Sequence, residues 1–263
     1  MNFFEFLKDA FSALKSNPKL FVPKLFVAAV YGVEMVLVAI YLRDIYPLLK
    51  SVLEGDSLAL QSEALGQAMP FVWLAFFWSV FSLFADIFVS AMYPVLVRDF
   101  KNKKAISLTK AFYDAKARAI KVIPMGFLIV FAFGIPTIAI STIASRFTGG
   151  PFLLIYLALA VVVSILVFFV LYYVFPVLML EEGSAFEGLS RGFNLSAKNA
   201  ALTLKASLFP LAISLLDLYL AFDIFNPFNF LLFVFTRFLI AIIAAYNATL
   251  EPILYFGVAG RSK

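Results

Sequence analysis

Six stretches of this chain stay apolar for long enough to cross a membrane, and they leave few folds open to it. They run near 20–42, 69–97, 122–143, 151–180, 202–222 and 228–257. Each holds roughly 20 residues or more, enough for a helix rising ~1.5 Å per residue to span a ~30 Å hydrocarbon layer. The apolar residues run on without alternating, which argues against a β-barrel. Of 263 residues, 63% are hydrophobic and 14% charged. A soluble domain is nearer half apolar and a quarter charged, so the excess cannot be hidden in a core of this size. The expected fold is all-α, a single membrane domain over 1–263 with six transmembrane helices. Pro124, Pro136 and Pro210 predict kinks within or at the ends of the runs.

Charge sets an orientation. Lys and Arg total 21. Apart from Arg237 inside the sixth run, all but Arg43, Lys50 and Arg146 lie in or beside segments on one side of the membrane. These segments precede run one, join runs two and three, join runs four and five, and follow run six. The positive-inside rule then predicts a multi-pass cell-membrane protein with both termini in the cytoplasm. On that face, basic residues such as Lys8, Lys15, Lys19, Lys24, Lys101, Lys103 and Lys104 are expected to meet anionic lipid headgroups. The net charge of +5 sits beside apolar runs, so no nucleic-acid partner is expected.

One unit recurs three times. Pro94-Val95-Leu96, Pro176-Val177-Leu178 and Pro252-Ile253-Leu254 each close an even-numbered run. Each odd-numbered run is preceded by a stretch of helical periodicity. The three stretches align on a small residue followed by Phe: Ala10-Phe11 with Lys15, Ala111-Phe112 with Lys116, and Gly192-Phe193 with Lys198. In the first, Phe3, Phe4, Leu7, Ala10, Phe11 and Leu14 share one face. In the third the stripe is Phe186, Leu189, Phe193, Ala197 and Ala200, and Ser184-x-x-Glu187 is a capping box that starts the helix. The chain therefore reads as three parallel hairpin repeats, roughly 1–97, 98–180 and 181–258. Each is led by a cytoplasmic amphipathic helix lying in the interface. Each Pro triplet is expected to end its membrane helix. Gly188-x-x-x-Gly192 lies in the surface stretch and so is not read as a transmembrane dimer face.

The inner segment running from Pro176-Val177-Leu178 through Glu181-Glu182-Gly183, Ala185, Arg191-Gly192-Phe193 and Lys198-Asn199 resembles the multi-span domain attached to some glycerophosphodiester phosphodiesterases. It also resembles related stand-alone six-span proteins of bacteria and archaea. The family often has a Ser-Trp pair where this chain has Gly192-Phe193. The catalytic barrel of the phosphodiesterases has no counterpart here, so the resemblance implies a membrane module and not the hydrolase.

An ionisable group inside a span costs at least ~2.5–3.5 kcal/mol near the centre, so each one needs a reason. Glu34, Asp86, Asp217 and Arg237 are the candidates, with Asn247 as a possible polar partner of Asp86. Asp217 and Arg237 flank the short turn at Asn226-Pro227 and are expected at similar depth to Glu34. They form either an ion pair that pins the hairpin or a polar cavity in which Arg237 binds an anion or lipid headgroup. Asp86 lies near Ser79, Ser82 and Ser90. It is either a hydrogen-bonded structural carboxyl or a proton- or cation-coupled site.

The chain has no cysteine and no histidine. Thiolate and imidazole metal sites, cysteine nucleophiles and Ser-His-Asp triads are excluded. No cofactor or metal site is expected, and Glu181-Glu182 reads as a loop. Enzymatic activity on lipid is the least favoured reading, since no acid–base pair can be named. Two readings stay open: a transporter or channel-like carrier for a small solute or lipid, and a scaffold that binds a protein partner without transport. A polar cavity reaching the intramembrane residues would mark the first, and a dry bundle the second.

Overall fold

The computed structural model describes residues 2–53, 58–128, 131–132, 150–208 and 227–259. Among them every regular element is helical and no strand occurs. Helix α1 (Phe3–Ser16) leads through a 3₁₀ turn (Pro18–Phe21) into α2 (Val22–Leu53), and α3 (Leu58–Lys101) returns. The short α4 (Leu108–Ala117) precedes α5 (Ala119–Leu128). Then come α6 (Gly150–Leu171), α7 (Val174–Leu180), α8 (Ala185–Lys198), α9 (200–208) and α10 (Pro227–Ala259). Among the described residues four segments are long and apolar enough to cross a membrane: Pro18–Tyr41, Met69–Lys101, Val161–Leu180 and Leu231–Ala259. They correspond to the first, second, fourth and sixth runs. The third and fifth begin within α5 and α9, and most of their length lies outside the described residues, as do Pro136 and Pro210.

Helices α2 and α3 reach beyond their apolar runs, to Leu53 and back to Leu58, so helix occupies much of the segment expected as an outer loop. The Pro triplets also depart from expectation. Pro94 and Pro252 lie inside α3 and α10, which run on to Lys101 and Ala259. Each proline loses one backbone hydrogen bond, and tight packing of both buried rings offsets that loss. Pro176 does interrupt its helix: its ring excludes the bond to the carbonyl four residues back, and the chain turns at Tyr172-Tyr173 between α6 and α7.

The core explains why the triplets recur. Val95, Leu96, Val177, Ile253 and Leu254 are all nearly fully buried and belong to one cluster, which also takes in Phe6, Ala10, Leu14 and Leu250. Leu178 is buried in an adjoining cluster with Val174 and Met125. This core lies at the basic end of the molecule, where α1 packs on α10, α4 on α3, and α8 on both α7 and the long α6.

The buried faces of α1, α4 and α8 coincide only in part with the predicted apolar stripes, sharing Ala10 and Leu14 in α1 and none of the stripe in α8. In α1 the buried residues are Phe6, Ala10, Ala13 and Leu14, in α4 Ala111 and Ala115, and in α8 Gly188, Gly192 and Ser196. Phe11, Phe112 and Phe193 are instead 61%, 47% and 44% exposed, so the aligned phenylalanines lie outside the core and the small residue before each lies inside it. Small residues let the helices approach closely. A Cβ on Gly192 would sit 3.2 Å from the Val174 backbone, and one on Gly257 would overlap the Phe6 ring. Gly188 and Gly192 thus serve packing within the chain.

Caps and ties fix this end further. Ser184 Oγ accepts from the Glu187 N–H at 3.2 Å and Glu187 Oε2 accepts from the Ser184 N–H at 3.3 Å, closing the box that the sequence predicts. Arg118 donates to the carbonyls of Leu178 and Glu181 at 2.8 and 2.7 Å, satisfying the end of α7. Glu181 accepts from Arg191 at 2.9 Å and from the Tyr255 hydroxyl at 2.6 Å, so it ties α8 to α10 and is more than a loop residue. The Glu181 carboxylate raises the Arg191 guanidinium above its usual pKa by hydrogen bonding to it and by its charge.

Candidate functional site

Helices α2, α3 and α10 pack against one another pairwise and, with Phe168 of α6, line a partly open cavity of about 440 Å³. One stripe of α10 lines it, through Arg237, Ile240, Ala241, Ala244, Asn247, Ala248 and Glu251, at the i, i+3, i+4, i+7 spacing of a helix face. Arg237 and Glu251 are about 21 Å apart along the helix at ~1.5 Å per residue, roughly two-thirds of a ~30 Å hydrocarbon layer. Lys24, Val27, Ala28 and Tyr31 supply the α2 wall by the same spacing, and Asp86 and Ser90 the α3 wall. Alanines on α10 keep the space open, while larger side chains there would close it.

The polar groups meet across this space. Lys24 Nζ donates to Asp86 Oδ1 at 2.7 Å and to Ser90 Oγ at 3.0 Å. Lys24 was expected at the headgroups, but it lies inside the first span, and its ammonium is the charge partner of Asp86. The Lys24 side chain is 11% exposed and that of Asp86 39%, consistent with a carboxylate facing the cavity. Asn247 lines the same cavity one turn from Glu251. Two acceptors here, Asn247 Oδ1 and Glu251 Oε1, are buried without a hydrogen bond from any described residue. Buried polar atoms are normally paired with protein or water, so both fit a hydrated site or a ligand that brings donors. Arg237 is 7% exposed, and its guanidinium lies over the Phe233 ring at 5.2 Å.

Of the residues singled out in the sequence, Asp86, Arg237 and Asn247 share this cavity. Glu34 does not. It accepts from Ser82 at 2.8 Å and from Ser79, a set of contacts joining α2 to α3. Of the three serines that the sequence places near Asp86, Ser79 and Ser82 therefore serve Glu34, and only Ser90 joins the Lys24–Asp86 pair. Asp217 lies outside the described residues. Pro94, Pro176 and Pro252 are core residues, and Phe11, Phe112 and Phe193 lie on exposed edges, so none of these six belongs to the cavity. Sequence reasoning missed Lys24 and Glu251. Glu251 is a carboxyl within an apolar run, the same signal that marked Asp86, but it stands beside Pro252, where the helix was expected to end.

Among the described residues no group of three or more acidic side chains is placed to hold a metal ion. The arrangement gathers the Arg237 guanidinium, the Lys24–Asp86 ion pair and the acceptors of Asn247 and Glu251 around one space among apolar helices. No family model, no curated protein and no solved structure matches this chain.

Proposed function

We propose that the protein is a non-enzymatic carrier in the cell membrane, a transporter or channel-like path for a small solute or lipid through the α2–α3–α10 cavity. The observation that supports this most is the cavity itself. Charged and amide side chains from three helices line about 21 Å of an otherwise apolar bundle. Polar groups at that depth cost free energy unless a hydrated path or a ligand uses them. A scaffold has no need of such a space.

The same reading takes the chain as six spans in three parallel hairpin units, each led by an amphipathic helix at the cytoplasmic interface. Several observations favour it. Helix α4 packs on α3 and α8 on α7, so each rests on the segment that closes the unit before it, and α1 packs on α10, which closes the last unit. The Pro-triplet side chains gather in adjoining clusters. Exposed Phe11, Phe112 and Phe193 each lie within five residues of an exposed lysine (Lys15, Lys116, Lys198), as suits helices that insert apolar edges below anionic headgroups. The basic residues at this end favour a cytoplasmic placement of both termini.

The chain has no native cysteine, so an introduced thiol is unique. In sealed vesicles, Asn247→Cys is expected to react with a membrane-impermeant thiol reagent, while Val33→Cys on the outer face of α2 stays unreactive. Reaction of Asn247→Cys only with a membrane-permeant reagent would mean a dry bundle and favour the scaffold.

A further inference from the structure

The inner half of the polar cavity holds a carboxyl group that nothing in contact satisfies. Glu251 lines it from α10, with Asn247 one turn before. Glu251 Oε1 and Asn247 Oδ1 are both buried, and neither accepts a hydrogen bond. The Tyr172 hydroxyl, in a side chain only 6% exposed at the turn between α6 and α7, is also buried without a partner, and the Glu251 charge acts on it. The charge of Lys24 reaches Glu251, yet its ammonium is held by Asp86 at 2.7 Å and Ser90 at 3.0 Å. The Lys24 and Asp86 charges cancel, which leaves Glu251 as the remaining charge at this end. Arg237 lies about 21 Å away along α10 at ~1.5 Å per residue. A buried carboxylate ordinarily has a counter-charge and hydrogen-bond donors against it, and no described residue brings either to Glu251 Oε1. The wall beside it is apolar, with Val27, Ile240, Ala241, Ala244 and Ala248.

We propose that the inner half of the cavity binds a small solute carrying a primary ammonium, with its N–H groups directed at Glu251 and Asn247 and its carbon body against the alanine face of α10. The inference rests on the carrier reading and narrows its substrate to that class. An ammonium brings the missing counter-charge and up to three donors together. A quaternary ammonium brings the charge without a donor, and an alcohol brings a donor without the charge. A hard metal cation needs more oxygens than this end supplies, about six for magnesium and about six to eight for calcium. Among the described residues no group of three or more acidic side chains could provide them. A bare ion would also leave most of the 440 Å³ unfilled, whereas the space over Ala241, Ala244 and Ala248 suits a short apolar body that gains by leaving water.

Thermal melting of the full-length protein in detergent reads the binding, because a ligand held only by the folded state raises Tm saturably. The probes are butylammonium, tetramethylammonium and sodium chlorides at equal ionic strength and neutral pH. Butylammonium is expected to stabilise the wild type saturably, and the other two cations are not. Glu251→Gln keeps the shape and removes the charge, and should weaken butylammonium binding about tenfold. Ala244→Leu leaves every polar group in place and fills the space, and should weaken it comparably. Equal shifts with all three cations would overturn the proposal, as would unchanged butylammonium affinity in either variant. So would the absence of any saturable shift, which would mean that a proton alone satisfies Glu251. Should one variant fail to fold, the other decides together with the cation series. A water-accessible Asn247→Cys in a protein that ignores butylammonium would sink this inference and spare the carrier reading. Butylammonium binding with an unreactive Asn247→Cys would leave the ammonium site standing and sink the carrier.

Discussion

Lys24→Met is expected to destabilise the protein by about 3 kcal/mol, because it leaves the Asp86 carboxylate without its ammonium partner inside a membrane bundle. Breaking a buried pair typically costs about 3–5 kcal/mol. The 39% exposure of Asp86 toward the cavity keeps the effect at the lower end of that range. The second variant is as informative as the first. Removing both charges, in Lys24→Met with Asp86→Leu, should restore most of the loss, since an apolar pair of similar volume replaces the ion pair. Chemical unfolding in mixed micelles measures both. An unaltered Lys24→Met protein would place the ammonium in the headgroup region and dissolve the α2–α3 side of the site.

Phe6→Ala is expected to cost about 3–5 kcal/mol, the range for truncating a buried aromatic residue. Phe6 is 1% exposed and its ring fills the gap left by the missing side chain of Gly257. Phe11→Ala, five residues on, should change stability by less than about 0.5 kcal/mol, because Phe11 is 61% exposed. Its loss should instead weaken contact of α1 with lipid. The same unfolding measurement separates the two. Equal costs would mean that α1 sits on the bundle by a different face.

The contrast between Phe6 and Phe11 shows where the sequence becomes illegible. A helix between protein and lipid has apolar residues on two faces, and hydrophobic period alone cannot tell which one meets the core. The small residues Ala10, Ala111 and Gly192 were the better guide, because close helix approach requires them. The all-helical architecture was readable, since long apolar runs allow little else. So were the α8 cap at Ser184 and Glu187, and three cavity residues, because a charge or amide within a span is rare enough to stand out. The rest depended on packing. Lys24 sits near the edge of its run, where the same residue reads equally well as a headgroup contact. Glu251 was hidden by Pro252, which local rules take for a helix end but which α10 absorbs within its core. Glu34 was grouped by depth with Arg237, yet helix rotation turns it toward Ser79 and Ser82, and depth along a helix carries no rotation.

The most direct test of the account is a cryo-electron microscopy structure of the full chain in lipid nanodiscs, read at the α2–α3–α10 junction. The account predicts Lys24 paired with Asp86, Arg237, Asn247 and Glu251 on one face of α10, and a hydrated or ligand-filled space of about 440 Å³ between them. Helices α2 and α10 closed on each other by apolar side chains, with those polar groups facing lipid or separate partners, would contradict it.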